Sequence, residues 1–332
     1  MRLTKFLGFF YSKKLSTAKQ SSFKYYWSIG KGHISFTNSS IQLSPSPILG
    51  QNDTFFGFRT DGDVIFRDYF VCDPFLIKGN GEWILFFEIC GYLGDKYVTA
   101  IAKVDVDLDF KVMKNFSVIK YADDKPNMNR TFTISYPYPI VSGGVLYLIL
   151  EEYSQKSVTT IYRFNQNTNV LLPVAELPIR ILDPNIQEVE GLIWVYGVDE
   201  DYAIRVFVAS EIFGPFVEHH SSGKYSGKSF ARNAGAVFIW NKSMIRPFQD
   251  CSESYGKALG FSEIRIDADS GFEIVRNDLL DNLSITGSDS QPYWAMSKIH
   301  HFAVTDISSD SISGLIDAAR KLRITNHGWM EF

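Results

Sequence analysis

Asp73-Pro74-Phe75-Leu76-Ile77, answered after a short turn by Trp83-Ile84-Leu85-Phe86-Phe87-Glu88, is the stretch on which the fold of this chain is decided. A turn residue and a proline open an apolar strand, and its partner closes on an acid fifteen residues after the opening aspartate. Tyr136-Pro137-Tyr138-Pro139-Ile140 running to Tyr147-Leu148-Ile149-Leu150-Glu151 keeps the same interval, and Asp183-Pro184-Asn185-Ile186 running to Trp194-Val195-Tyr196-Gly197 repeats the design. A fourth unit opens at Ala234-Gly235-Ala236-Val237-Phe238, with Ala-Gly in place of Asp-Pro. It returns through Met244-Ile245-Arg246-Pro247-Phe248-Gln249-Asp250, Gln249 standing fifteen residues on. Hairpins recurring in one frame are how the blades of a β-propeller show in sequence. Ile299-His300-His301-Phe302-Ala303-Val304 reads as a fifth inner strand without a hairpin partner after it.

Unit starts at 73, 136, 183, 234 and 299 therefore predict an all-β fold, a five-bladed β-propeller. The N-terminal strands, Tyr25–Ile34 and Gly57–Ile65, are expected to pair with the C-terminal inner strand and close the ring, which leaves no free sheet edge. This frame gives a basic arm over residues 1–24, the propeller over 25–306 and a tail over 307–332. In the tail, Ser313-Gly314-Leu315-Ile316-Asp317-Ala318-Ala319-Arg320-Lys321-Leu322 reads as a short helix outside the ring. A β-sandwich also has regular short strands, but the equal hairpin interval favours the ring. A polar loop over residues 122–130 is long enough to overhang the axis.

The chain has 332 residues, 45% hydrophobic and 15% aromatic, which excludes a disordered polymer and suits sheets. Its three cysteines, Cys72, Cys90 and Cys251, include no C-x-x-C pair. That speaks against a disulfide scaffold or a zinc motif and makes a reducing compartment the default. No cofactor is expected, and a divalent metal is not indicated by the sequence but is left open. The net charge of −4 conceals an asymmetry: seven Lys and Arg and no acid precede Asp53, so the remainder carries −11. In the arm, Leu3, Phe6, Leu7 and Phe10 fall on one helical face, a pattern fit to lie on an anionic membrane surface. The plain alternative is a solvated terminus. The arm has no secretory-signal layout, and no stretch is long enough for a transmembrane helix. The expected location is the cytoplasm, at the inner face of the membrane, where the sequons at Asn38, Asn52 and Asn115 carry no glycan. The acidic body excludes nucleic acid as a partner.

Asp73, Glu88, Glu151, Asp183 and Asp250 stand at strand starts or ends in the repeat frame, and closure of the ring brings several of them together. Each Asp-Pro taken singly is an ordinary turn. Carboxyls gathered at one point repel and raise one another's pKa, an arrangement suited to acid/base work or cation binding. Arg232, Asn233, Arg246, Gln249, Asp250, Tyr255 and Lys257 cluster in the fourth unit and are candidates for holding an anionic or hydroxyl-rich ligand, with Arg163 from the second unit. Their alternative is a surface hairpin with ordinary charges. Tyr136 is the second unit's counterpart of Asp73. His300 and His301 alternate in direction, so one of them, taken as His300, faces the axis. No dinucleotide, P-loop, zincin or nucleophile-elbow motif is present.

Cys72-Asp73-Pro74-Phe75-Leu76-Ile77, Ser135-Tyr136-Pro137, Tyr162-Arg163, Leu182-Asp183-Pro184, Ala231-Arg232-Asn233-Ala234-Gly235 and Ile245-Arg246-Pro247-Phe248-Gln249-Asp250-Cys251 with Tyr255-Gly256 together resemble one family. It is the N-terminal domain family of plant glucosamine inositolphosphorylceramide transferase, and the likeness spans residues 25–305. The resemblance implies a five-bladed propeller similar to arabinanase- and xylosidase-type glycoside hydrolases. It further implies a role in polysaccharide or glycolipid biosynthesis, with a sugar donor and a glycan or glycolipid acceptor as partners. The plant proteins carry their transferase activity in a separate C-terminal domain without counterpart in this sequence. The chain departs from the family at Asn233, where proline is usual, at Asn185, where serine is usual, and at Leu150-Glu151-Glu152, where Pro-Glu-Ser is usual. No glutamate stands beside Asp183 as the glycosidases' general acid would. On this reading Asp73 is the base or transition-state stabiliser, supported by Asp183 and Glu151. Arg232, Arg246 and Lys257 hold a donor phosphate. Hydrolysis of glycosides and glycan binding without catalysis are the alternatives.

Overall fold

The computed structural model of the chain describes residues 23–35, 40–43, 66–78, 83–93, 96–107, 109–122, 134–152, 158–277, 284–286, 299–308, 311–325 and 328–330. The arm over 1–22, the strand expected over 57–65 and the loop over 123–130 lie outside these residues. The chain enters through β1 (Phe23–Ser35) and β2 (Ser40–Leu43), then forms its first complete blade from β3 (Phe66–Lys78), β4 (Trp83–Leu93), β5 (Lys96–Val106) and β6 (Met113–Val118). The short β7 (Lys120–Tyr121) edges the second blade, which runs β8 (Ile134–Ser142), β9 (Val145–Glu152), β10 (Thr160–Asn165) and β11 (Val170–Glu176). The third is β12 (Leu182–Val189), β13 (Leu192–Val198), β14 (Ile204–Ala209) and β15 (Val217–Glu218). In the fourth, the inner strand comes in two pieces, β16 (Arg232–Asn233) and β17 (Phe238–Trp240). Both pair with β18 (Ser243–Asp250), followed by β19 (Ala258–Asp267) and β20 (Gly271–Arg276). The last sheet joins β21 (Ser284–Thr286), β22 (Ile299–Ile307), β23 (Ser311–Thr325) and β24 (Gly328–Met330) to β1 and β2, in the order β21-β2-β1-β23-β22 with β24 beside β23.

These five sheets form a five-bladed β-propeller, and each pair of neighbouring blades shares a core. Phe75, Phe86, Tyr136, Leu148 and Ile186 belong to one cluster across the first three blades. Trp194, Tyr196, Ile264 and Phe272 join the third to the fourth, Phe261 and Phe302 the fourth to the fifth, and Ile29, Val71, Phe87 and Leu315 the fifth to the first. Both faces of a blade's middle strands are thus covered, which explains the unbroken apolar runs such as Trp83–Phe87. Burying one side chain such as Phe87 contributes roughly 1.5–3 kcal/mol. The inner hairpins turn on two residues with positive φ: Gly143-Gly144, Glu190-Gly191 and Asn241-Lys242. This is the twist-matched geometry of a tight hairpin.

Chain start and chain end share a sheet as expected, but the pairing is one strand further out. β1 runs antiparallel to β23 over thirteen residues, from Phe23↔Arg323 to Ser35↔Ser311, and β23 in turn pairs with the inner strand β22. The helix expected in the tail is corrected to this strand, and the propeller extends past residue 306. Leu315, Ala318, Ala319, Arg320, Lys321 and Leu322 are good helix formers, yet β23 is bonded on both sides, and Ile312, Leu315 and Ile316 are buried. Tertiary pairing overrides the local preference. Gly314 permits the approach: a Cβ there would lie 2.2 Å from the Ala303 carbonyl oxygen on β22.

Candidate functional site

Three inner strands carry the same irregularity. Asp73, Tyr136 and Asp183 have φ of +49°, +52° and +45°, each precedes a proline, and each sits in a register break (Cys72/Phe75, Ser135/Tyr138, Leu182/Asn185). A non-glycine residue held left-handed before proline costs on the order of 1–3 kcal/mol. The bulge re-aims the side chain. The register brings Glu88 opposite Cys72 and Glu151 opposite Ser135, so both second-strand acids reach the level of the bulges. In the fourth blade Arg232 stands opposite Gln249. In the fifth, the break between Ile299 and His301 falls on His300.

From these elements one buried polar network is built. Arg232 grips Asp183 with two donors, Nε to Oδ2 and Nη2 to Oδ1, the latter at 3.2 Å. Its Nη2 also lies 3.9 Å from Glu151 Oε2, while Arg180 Nη2 is 3.6 Å from Glu151 Oε1. The Asp183 amide donates to Glu151 Oε2 at 3.3 Å, and Gln249 Nε2 donates to Asp183 Oδ2 at 3.2 Å. The Arg232 guanidinium also lies over the Tyr255 ring, 4.8 Å from its centroid. Tyr255 Oη is 2.6 Å from His300 Nε2, and His300 Nδ1 is 3.5 Å from Asp73 Oδ1. Tyr136 Oη donates to Asn185 Oδ1 and accepts from the Gly235 amide, both at 3.1 Å, linking the second, third and fourth blades. Asn233 Nδ2 donates to the Asp183 carbonyl at 2.8 Å.

The electrostatics follow from burial and from these neighbours. Burial and the adjacent Asp183 push the Glu151 carboxyl up to about 7, against the pull of Arg232 and Arg180. Burial, then the Cys90 thiol beside it, holds Glu88 well above the usual carboxylate range. Burial works against the Arg232 cation, but Asp183 and Tyr255 outweigh it and keep it charged. The Tyr136 hydroxyl is pushed up by burial and by Asp183 and Asp73.

The structure thus brings together Asp73, Glu88, Tyr136, Glu151, Asp183, Arg232, Asn233, Gln249, Tyr255 and His300. The remaining four candidates are placed elsewhere. Arg246 is fully buried inside its blade, donating to the carbonyls of Phe230 and Ala231, to Asn233 Oδ1 and to Ser262 Oγ, and burial lowers it to about 10. It orients Asn233 and the turn before β16. Arg163 is exposed on β10, the third strand of its blade, far from the inner strands. Asp250 and Lys257 pair with each other at 3.4 Å near the surface, and Lys257 also bonds Glu253. Charge in the sequence does not say which face of a strand it occupies.

Three participants escaped the sequence reading: Arg180 beside Glu151, Asn185 beneath Tyr136 and His301 packed edge-on 4.5 Å from the Phe75 ring. Glu152 is buried and accepts from Tyr121 and Tyr162. The Asp183-Pro184-Asn185 and Glu151-Glu152 runs were the available signals. At the other end of the inner strands, Ile77, Ile140, Val237 and Met244 surround a depression of about 400 Å³ together with Gln187 and Glu188, so its lining mixes apolar and polar groups.

Residues 55–319 match the family model described as glucosamine inositolphosphorylceramide transferase 1, N-terminal. The chain belongs to this family. Among its members, the glucosamine inositolphosphorylceramide transferase 1 of Arabidopsis thaliana is 25% identical over 265 residues, covering 76% of this chain and 32% of that protein. The japonica rice protein of the same name is 24% identical over 266 residues, covering 76% and 33%. The chain therefore spans about a third of the length of these relatives. In fold, this family member is similar to an α-L-arabinanase of Cellvibrio cellulosa, with a TM-score of 0.51 at 11% identity over 77% of this chain and 92% of the arabinanase. Family and fold agree on a five-bladed propeller.

Proposed function

We propose that the chain is a glycosyl-transfer enzyme of cell-surface polysaccharide or glycolipid synthesis, with its chemistry in the buried polar network. The observation that carries this reading is the meeting of four buried carboxyls, Asp73, Glu88, Glu151 and Asp183, from three neighbouring blades. Glu151, poised at about 7, is the proton donor to the leaving-group oxygen of the sugar donor. Asp73, fixed by its bulge and paired with His300, takes the proton from the acceptor hydroxyl. Arg232 and Arg180 stabilise Glu151 once it has given up its proton. The donor phosphate is not assigned to Arg246, whose donors all serve the protein interior. The site works at the cytoplasmic face of a membrane, which the basic arm over residues 1–24 contacts. The name of the relatives supports a sugar donor and a sphingolipid-like or glycan acceptor.

Transfer is tested with sugar nucleotides as donors and inositolphosphorylceramide or an oligosaccharide as acceptor. Asp73→Asn and Glu151→Gln are each expected to lower turnover by about 10²–10⁴-fold. Full activity in both variants sinks the assignment. Hydrolysis is the second reading, supported by the arabinanase-like fold. Release of sugar from aryl glycosides, lost in the same two variants, selects it. Saturable oligosaccharide binding without turnover selects a binding module.

A further inference from the structure

Outside the acid/base pair, the first blade holds a second buried cluster. Cys72 Sγ, Cys90 Sγ and a Glu88 carboxylate oxygen all lie within 4.8 Å of one another, on three buried residues. We propose that these three side chains form a binding site for a thiophilic divalent cation of the zinc type. Two strands create the site. Glu88 and Cys90 are two apart on β4 and share a face, while Cys72 on β3 stands opposite Glu88 in register. The Cys90 sulfur is 2.7 Å from Glu88 Oε1, and Thr99 Oγ1 is 3.5 Å from the same sulfur.

The donor set fits the ion. Zinc takes thiolate sulfur at ~2.3 Å and carboxylate oxygen at ~2.0–2.2 Å in a tetrahedron, so its ligand atoms sit roughly 3.3–3.8 Å apart. The three donors here need move only by fractions of an ångström to reach that spacing. Two sulfurs select a soft cation over calcium or magnesium. Three protein donors leave the fourth position to water. Asp73 lies beside Glu88, just outside the donor set. Without a cation, ionising any two of these groups in the core sets like charges against each other. A dication offsets two of the three negative charges, and its binding releases the thiol protons, so affinity falls as the pH is lowered. A Cys72–Cys90 disulfide would leave the carboxyl of Glu88 out of the arrangement; the cation uses all three.

The place matters as much as the chemistry. Cys72 immediately precedes Asp73, and the register break begins at Cys72. An ion bridging Cys72 to β4 pins the start of the bulge that aims the Asp73 carboxyl.

The test uses the full chain, purified under reductant, stripped with a chelator and dialysed against Zn²⁺ or Cd²⁺. The expected result is one zinc per chain by atomic emission, a thiolate-to-cadmium charge-transfer band in the ultraviolet and a rise in Tm with zinc. The Cys72→Ser/Cys90→Ser double variant loses all three signals, Glu88→Gln binds zinc at least about tenfold more weakly, and Cys251→Ser binds as the natural chain does. Should the double variant unfold, the cadmium band of the natural chain and the Glu88→Gln affinity still decide. Absence of stoichiometric zinc in the natural chain overturns the proposal, as does equal zinc in the double variant. A Cys72–Cys90 disulfide whose reduction yields no zinc uptake overturns it too.

Discussion

Asp73 and Asp183 share one backbone device, a left-handed residue before proline in an inner-strand bulge, but their partners differ. Asp183 is gripped by both donors of an arginine fork and by Gln249. Asp73 faces His300, Glu88 and the cysteine pair. The repeat therefore supplies position, and the fourth and fifth blades supply the charge that distinguishes the copies. Asp183 anchors the network through an arginine fork, whereas Asp73 meets an imidazole, a carboxyl and a thiol pair.

Arg232→Met should be the most damaging single change. Asp183 and Glu151 would then be buried without their common cation, and stability should fall by about 3–5 kcal/mol in urea unfolding. Next comes the pH dependence of Glu151. Its folded value of about 7 lies above the ordinary 4.5, so the folded chain keeps a proton that the unfolded chain releases. The contribution of this group is fully present below about pH 4.5, is lost as the pH rises to about 7 and is flat beyond. The total is at most about 3 kcal/mol. Glu151→Gln should remove that slope from stability measured across the interval, whereas Asp73→Asn should leave it.

A smaller effect is expected at Gly235, which donates to Tyr136, the second blade's occupant of the shared bulge position. Its φ is +133°, and a Cβ there would lie 2.1 Å from the Phe302 carbonyl oxygen. Gly235→Ala should cost more than about 1 kcal/mol by thermal or urea unfolding and raise KM for either substrate. Lys257→Ala, a surface pair beside Asp250, should change neither the urea midpoint nor turnover.

The ring was legible because Asp73-Pro74, Tyr136-Pro137 and Asp183-Pro184 mark one bulge, and a bulge in a fixed frame survives any amount of sequence drift between blades. The tail was not legible, because Leu315 to Leu322 carry helical preference, and what decides otherwise is pairing with the hairpin neighbour β22 and with β1, which is remote in sequence. The acids were legible as strand ends. Arg246 was not: its role depends on the turn over Phe230–Asn233 folding back across it, which no local pattern encodes. The meeting of Cys72 with Cys90 likewise depends on a register break that shifts one strand against the other.

The thirteen-residue match of β1 with β23 has a consequence for how the molecule is made. Residues 23–35 leave the ribosome early yet must wait for residues 311–323 before they can be seated. The first four blades can form during synthesis, but the cores that the fifth shares with the first and fourth cannot. Ile29, Ile34 and Val71 therefore remain uncovered until residues 311–323 have emerged. A nascent chain stalled anywhere before residue 311 should be a ready target for chaperone capture.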